Sequence, residues 1–148
     1  MHMEIVRAVG VDLEFVKDHG VESLQDGTMG TFDATGREER AKEIMNAVWE
    51  RGGYAFVAKK DEQILGWIIA GLNVDYFSGE EVGFIYDLYA FVEHRGKGVG
   101  KALLQHAIAD LRDKGYAEIR LNVFAGNPAQ KLYESLGFAV RSSQMVLK

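Results

Sequence analysis

The sequence contains no cysteine and only one proline among its 148 residues. The absence of cysteine excludes disulfide bonds, thiolate nucleophiles and cysteine-ligated zinc, and it suits a reducing, cytoplasmic location. No apolar run approaches the roughly 18 residues that a membrane-spanning helix requires, so no membrane is expected as a partner. The start of the chain also lacks the basic region followed by an apolar run that is typical of a signal peptide.

An excess of positive charge is lacking too. The chain has 17 Lys and Arg against 22 Asp and Glu, which gives a formal net charge of −5. General nucleic-acid binders are usually basic, so this class of partner is disfavoured. The excess of Asp and Glu instead favours a cationic small molecule as the ligand. With 47% hydrophobic residues, the chain is predicted to form a single globular domain over residues 1–148.

The spacing of apolar residues predicts an alternation of strands and helices. The predicted strands are residues 4–8, 54–59, 63–72, 82–92, 118–124, 138–140 and 143–147. Helices are predicted at residues 11–18, behind a capping-box spacing at Thr35 and Glu38, at residues 98–114, and after Asn127. The segment 20–33 is rich in Gly, Asp and Thr and is predicted to be a loop.

This order predicts an α/β fold with a mixed, mostly antiparallel sheet. The short charged turn at residues 60–62 indicates an antiparallel hairpin. The strand, helix and strand of residues 82–124 form a βαβ unit, whose two strands are parallel. We therefore expect six or seven strands with helices on both faces of the sheet.

A glycine-rich turn joins the strand and the helix of this unit. Its sequence is Arg95-Gly-Lys-Gly-Val-Gly-Lys101, and we call it the 95–101 turn. Unpaired N–H groups at a helix N-terminus, together with three cations, can hold a pyrophosphate. A Walker A loop is excluded because position 95 is not Gly and Ala102 lacks a hydroxyl, and the spacing G-x-G-x-G does not fit the dinucleotide pattern. The alternative is a tight turn without a ligand.

Two segments around this turn resemble the GNAT superfamily of N-acetyltransferases. Arg95-x-x-Gly98-x-Gly100 matches the acyl-CoA signature (Q/R)-x-x-G-x-(G/A), and the strand that contains Asp87-Leu-Tyr resembles the family's fourth strand. Residues 127–138, Asn-Pro-Ala-Gln-Lys-Leu-Tyr-Glu-Ser-Leu-Gly-Phe, resemble the block N-x-x-A-x-x-L-Y-x-x-x-G-F. Ala90 and Val92 stand where the family usually has Val and Pro. The two segments cover most of residues 82–138.

The resemblance implies a GNAT-like acyl-CoA N-acyltransferase fold, in which the parallel fourth and fifth strands splay apart. It implies transfer of an acetyl group from the cosubstrate acetyl-CoA to a primary amine, with Tyr133 as the general acid. Because the chain has no cysteine, direct transfer in a ternary complex is favoured over an acyl-enzyme route. The positions implied to bind acetyl-CoA are Leu88, Tyr89, Ala90, Arg95, Gly96, Lys97, Gly98, Val99, Gly100, Lys101 and Asn127.

Asp87 is the leading candidate for the general base. It is the only charged residue in the stretch 84–92, and a buried carboxylate is costly unless it is used or paired. Strand alternation places residues 84, 86 and 88 on one face and residues 85, 87 and 89 on the other. If the acceptor amine lies on the even-numbered face, Asp87 is structural and only orients a loop.

The sequence indicates several alternatives for the acceptor and for the partners. Carboxylates in predicted loops are candidates for binding a cation near the acceptor mouth, although solvated loop positions are the simpler interpretation; they are Asp26, Asp33, Asp75, Glu80 and Glu81. His94 and His106 have no second ligand at metal spacing, so no metal is expected. The favoured acceptor is a small cationic amine. The alternatives are protein or peptide N-acetylation and a non-catalytic acyl-CoA-binding module, and a homodimer through the last strands remains an option.

Overall fold

The fold is centred on one mixed sheet in a computed structural model that describes residues 3–28, 36 and 38–148. Within these residues the strands lie in the order β1-β2-β3-β4-β5, and the first three junctions are antiparallel. The last junction, between β4 and β5, is parallel. The strands are β1 (Glu4–Arg7), β2 (Tyr54–Lys60), β3 (Gln63–Val74), β4 (Glu81–Ala90) and β5 (Ile119–Leu121). The mixed sheet and its parallel pair are therefore confirmed.

Five α-helices of the described residues cover the two faces of this sheet. They are α1 (Gly10–Asp18), α2 (Gly20–Gly27), α3 (Glu38–Glu50), α4 (Val99–Asp113) and α5 (Ala129–Ser135), with a short 3-10 helix at Val92–His94. Helix α4 connects β4 to β5, as the βαβ prediction requires. Among the described helices, none has the length and apolar character needed to cross a bilayer.

Each face of the sheet has its own apolar core. On one face, Leu103 and Leu104 of α4 and Tyr133 of α5 pack on Ile68. On the other face, buried residues of α1 and α3 pack on Trp67. Because β3 is covered on both faces, its residues 64–72 form a continuous apolar run instead of alternating with polar residues.

A β-bulge in β4 changes which side chains face which layer. Asp87 pairs with Ile69 of β3, whereas Ala70 pairs with Ile85, so Tyr86 is the extra residue. Tyr86 packs with the α1 and α3 core, and Asp87 hydrogen-bonds Trp67 of that same core. The predicted alternation is therefore wrong at this point, because a bulge puts two consecutive residues on one face.

The expectation of six or seven strands is wrong for the described residues, which form five. Residues 138–140 and 143–147 lie in no strand, and β5 is shorter than the predicted 118–124 segment. A three-residue strand offers few backbone groups with which a further strand could pair. Several apolar side chains near the end of the chain are consequently exposed, namely Val140, Met145, Val146 and Leu147.

The predicted loop at residues 20–33 is wrong in its first half, where α2 forms. This eight-residue helix is stabilised by tertiary packing: Gly20 lies against Met45 of α3, and the buried Ser23 contacts β4. Isolated helices this short are marginal, so its sequence alone gave a weak signal. Residues 29–33 lie outside the described residues, as do Thr35 and Arg37 of the capping-box segment.

Candidate active site

The parallel pair of strands opens into a slot half-way along β4. The last paired residues are Ile85 of β4 and Leu121 of β5, although β4 continues to Ala90. No described residue of β5 pairs with residues 86–90, so this edge of β4 is open to a ligand. We call the gap beside residues 86–90 the acyl slot. The bulge at Tyr86 lies at its start.

The 95–101 turn presents backbone donors at the N-terminus of α4. Gly96 and Gly98 have φ of +77° and +84°, in the left-handed region that glycine adopts without strain. Gly98 caps α4 without a side-chain hydrogen bond, and the amides of residues 96–101 find no acceptor among the described residues. Open space surrounds the Cα atoms of Gly96 and Gly98. Unpaired amides at the positive end of a helix suit an anionic group.

The three cations of this turn differ in their contacts. Lys97 and Lys101 are exposed and form no ion pair with any described residue. The Arg95 side chain instead folds back: its Nε donates to the carbonyl of Ala90 at 2.8 Å, and its guanidinium lies 5.4 Å from the ring centroid of Tyr89. Its terminal nitrogen is 3.4 Å from the carboxylate of Asp26 on α2. Arg95 therefore joins the end of β4 to α2.

Tyr133 lies on the α4 and α5 side of the slot. The residue is 8% exposed, and its ring makes an edge contact with Phe138. Its hydroxyl makes no hydrogen bond to the part of the chain that the structure describes. Burial, helped by the negative charge of Asp87, raises the pKa of Tyr133 to about 12. The phenol is thus protonated at neutral pH and can donate a proton. Helix α5, which carries Tyr133, begins behind Pro128, and Oδ1 of the preceding Asn127 accepts the amide of Ala129 at 2.9 Å.

Asp87 lies on the opposite face of the sheet and is firmly held. Trp67 Nε1 donates to its Oδ2 at 2.9 Å, and Ser23 Oγ lies 2.5 Å from both carboxylate oxygens. Burial raises the pKa of Asp87, against the opposite effect of the hydrogen bonds from Ser23, Trp67 and the Leu88 amide. Tyr133 and Asp87 are thus an acid and a carboxylate that interact across the slot. Sequence reasoning missed Ser23, because no local signal marks a serine whose partner is 64 residues away.

The carboxylates of the β3–β4 loop have other roles. Asp75 accepts the amides of Phe77 and Ser78 and pairs with Arg120 at 2.7 Å, and these contacts hold its pKa well below the usual range. The loop leads into the start of β4, at the opposite end from Ala90. Asp75 therefore forms the turn and does not lie at the acyl slot.

The remaining candidate residues include two exposed carboxylates and a half-buried histidine. Glu80 and Glu81 are exposed, and Asp33 lies outside the described residues. Across those residues, no group of three or more His, Asp or Glu side chains is arranged to hold a metal ion. His94 is half-buried, and its Nε2 is buried without a hydrogen-bond partner in the described structure.

Comparison with known proteins identifies the family. The sequence profile of the acetyltransferase (GNAT) family matches residues 21–138. The chain belongs to the GNAT family of acetyltransferases. The match includes the strand, turn and helix of the acyl slot and the segment that carries Tyr133.

Individual relatives of this GNAT protein agree with that assignment. Human N-acetyltransferase 8 is 34% identical over 91 residues, which are 60% of this chain and 40% of that protein. Mycothiol acetyltransferase of Renibacterium salmoninarum is 33% identical over 100 residues, 66% of this chain and 30% of its own. The chain spans less than half the length of these curated relatives.

Solved structures extend the similarity to the whole fold. A protein of Pyrococcus furiosus, named as an acetyl transferase, superposes with a TM-score of 0.85 at 27% identity and with 99% of each chain covered. An aminoglycoside N-acetyltransferase, AAC(6')-Iy, solved in complex with CoA, gives a TM-score of 0.69 at 19% identity, covering 99% of this chain and 94% of its own. At that identity the second likeness concerns the fold alone.

Proposed function

We propose that this protein transfers the acetyl group of acetyl-CoA directly to a primary amine, most readily that of a small cationic molecule. One observation carries the proposal: the protonated phenol of Tyr133 and the carboxylate of Asp87 lie on opposite faces of the sheet, beside the gap where β4 and β5 part. A thioester in that gap meets an acid on one side and a proton acceptor on the other.

The cosubstrate fits the groups that surround the slot. The free amides of residues 96–101, with Lys97 and Lys101, supply donors for a pyrophosphate. The open edge of β4 at Leu88, Tyr89 and Ala90 supplies backbone groups for the amide-containing arm of CoA. Arg95 contributes by bracing Ala90, since its side chain is occupied within the protein.

The amine nitrogen loses two protons in the proposed reaction, and the thiolate of CoA gains one. An alkylammonium has a pKa near 10, so the amine first loses a proton to Asp87 and on to solvent, at a cost of about 4 kcal/mol at pH 7. The neutral nitrogen attacks the thioester carbonyl, the C–N bond forms and the C–S bond breaks. Tyr133 protonates the departing thiolate, and the second proton shed by nitrogen restores the phenol through solvent.

The cationic acceptor is supported by charge around the slot. Glu22 and Asp26 of α2 are exposed, Asp26 in its ion pair with Arg95, and both act electrostatically on Tyr89, two residues after Asp87. The net charge of −5 points the same way. The cytoplasmic location and the pairing of two chains stay predictions, the first resting on the absence of cysteine and the second on the exposed apolar residues near the C-terminus.

The test combines a binding assay with a panel of amines. Calorimetry should show acetyl-CoA binding in the micromolar range or tighter, about −8 kcal/mol at 1 μM. Gly98→Asp should abolish it, because a side chain and a negative charge would occupy the phosphate side of the turn. Gly115→Asp is the matched control, since Gly115 also has positive φ and open surroundings but lies just beyond the opposite end of α4.

Turnover is then followed as release of the CoA thiol with cationic amines, neutral amines and peptides. Preference for a cationic amine supports the proposal, whereas preference for peptide N-termini indicates protein acetylation. Acetyl-CoA binding without turnover of any amine would indicate a non-catalytic binding module. Equal acetyl-CoA affinity in the Gly98→Asp variant would reject the turn as the binding site.

A further inference from the structure

Helix α2 is attached to the catalytic strand by a buried polar contact. Ser23 is 2% exposed, and its Oγ lies 2.5 Å from both oxygens of Asp87. A buried polar side chain is costly unless it is hydrogen-bonded, so this contact holds both partners in place. Asp87 is fixed a second time by Trp67, which is completely buried in the sheet.

The contact lies at the bulge that begins the acyl slot. Asp87 follows the extra residue Tyr86, where the backbone of β4 departs from regular pairing. Of the groups that face Asp87, the hydroxyl of Ser23, the indole of Trp67 and the amide of Leu88 donate to it, and Asp26 of α2 acts on it through charge, while the charge of Asp87 in turn acts on Tyr133 of α5. Ser23 is therefore the one side chain of α2 that donates to the carboxylate in the described structure.

We propose that Ser23 is a positioning residue, whose hydroxyl holds the Asp87 carboxyl group in place and fixes α2 over the bulge, so that the acceptor amine meets a proton acceptor in a set geometry. This inference rests on the proposed function, because it assigns Asp87 the proton of the amine. It adds a residue from a helix outside the two family motifs. Ser23 acts through Asp87 and touches neither the acetyl group nor CoA.

Removing the Ser23 hydroxyl should change the protonation of Asp87 in one direction. In Ser23→Ala the carboxylate loses a donor that stabilises its charge, so protonation of Asp87 should move to higher pH. The acidic limb of kcat/KM for the amine should move in the same direction, and kcat/KM at neutral pH should fall about 10- to 100-fold, the range expected when a reacting group is misplaced. The KM for acetyl-CoA should stay unchanged, because the amides of residues 96–101 make no hydrogen bond to α2 and the substitution leaves the ion pair of Asp26 with Arg95 in place.

A titration without substrate measures the same contact. The chain has two tryptophans, so Trp49→Phe leaves Trp67 as the only indole emitter. Its N–H binds Asp87, and its emission should report the protonation of that carboxylate. Ser23→Ala should raise the midpoint of this titration. Ser23→Thr, which keeps a hydroxyl, should restore both midpoint and kinetics, and Ser78→Ala, in the exposed β3–β4 loop, is the matched control.

The outcomes separate this inference from the proposed function. A raised midpoint with a shifted acidic limb, both reversed by Ser23→Thr, supports the positioning role. An unchanged midpoint overturns it whatever the activity, and a raised midpoint with normal amine kinetics overturns it too, because Ser23 would then be only structural. Absence of acetylation by the parent protein contradicts the proposed function itself, and the titration then decides whether Ser23 controls Asp87.

Discussion

Arg95 and Tyr133, both predicted from motifs, differ in how far their surroundings match their expected roles. Arg95 belongs to the acyl-CoA signature, yet its side chain contacts Ala90, Tyr89 and Asp26 and does not extend to the amides of its own turn. Tyr133 has the features of a proton donor: it is buried, protonated, and has a hydroxyl without a partner in the described structure. The backbone of the turn is thus better placed than the Arg95 side chain to meet a phosphate.

Replacing Tyr133 by Phe tests the acid directly. The ring and its contact with Phe138 are kept, so the free energy of unfolding and the acetyl-CoA affinity should barely change. Since general acid catalysis contributes about 10²–10⁴-fold, kcat should fall by that order. With a pKa of about 12, the phenol of the parent protein stays protonated through pH 10, so kcat should not decline below that pH through loss of this proton. A near-normal kcat in the variant would make Tyr133 a packing residue.

The contact between β3 and β4 sets the position of the acyl slot. A Cβ atom built on Gly66 of β3 would lie 2.4 Å from the carbonyl oxygen of Tyr89 and 3.0 Å from the Cα of Ala90. The two strands can therefore approach this closely only because residue 66 has no side chain. The backbone of Tyr89 and Ala90, proposed to bind the arm of CoA, is held at this place by β3.

Gly66→Ala should both destabilise the protein and weaken acetyl-CoA binding. Overpacking usually costs about 1–3 kcal/mol, and here the clash is with backbone that cannot rotate away. Gly53→Ala is the matched control, since its Cβ would also meet backbone, the carbonyl oxygen of Val48 at 2.7 Å, but in α3 and not in β4. Denaturant unfolding and calorimetry with acetyl-CoA measure the two effects. Normal acetyl-CoA affinity in the Gly66→Ala variant would show that β3 does not position the slot.

The molecule as a whole contains carboxylates with opposite pH behaviour. Hydrogen bonds from neighbouring amides and Arg120 lower the pKa of Asp75, and Arg120 and Arg141 lower that of Glu118. Burial raises the pKa of Asp110, but hydrogen bonds from Lys114 and Tyr54 outweigh it, and the net shift is downward. Among the carboxylates of the described residues, Asp87 alone has a pKa that is raised, and burial is the cause. On acidification, protonation of the first three carboxylates should therefore lower the free energy of unfolding, whereas protonation of Asp87 should raise it.

The free energy of unfolding should therefore fall as the pH drops below about 4. A carboxyl whose pKa is lowered on folding stabilises the native state above its unfolded pKa and loses that contribution on protonation. Asp87 has the opposite effect: because its pKa is raised on folding, its protonation increases the free energy of unfolding. Asp75→Asn keeps an acceptor for the turn but loses the charge, so its stability should depend less on pH, with a lower Tm at pH 7.

Denaturant unfolding between pH 3 and 7 measures this dependence. Glu50→Gln is the control, because Glu50 is exposed at the end of α3 and forms no ion pair with the described residues. The free energy of unfolding of the Glu50→Gln variant should depend on pH in the same way as that of the parent protein. A parent profile without an acid decline, or an unchanged profile for Asp75→Asn, would contradict the assignment of stability to these pairs.

The sequence by itself determined the elements whose signals are local. The periodic apolar residues of α4, the strand before it and the turn of Arg95 to Lys101 could all be predicted, and the βαβ order required β4 and β5 to be parallel. The motifs around Arg95 and Tyr133 also sufficed for the family, which the profile match then showed. These features depend on neighbouring residues along the chain, which is why a sequence can carry them.

Tertiary structure alone decided the contacts between distant segments. The bulge at Tyr86 depends on pairing with β3, the short helix α2 depends on packing against α3, and the bond from Ser23 to Asp87 joins residues far apart in the chain. The position of the Arg95 side chain likewise depends on tertiary structure, because its partner Asp26 lies on α2. The described residues form five strands, of which β5 has only three residues. Local patterns specify which face of an element is apolar, whereas the partner that covers each face is chosen only when the whole chain packs.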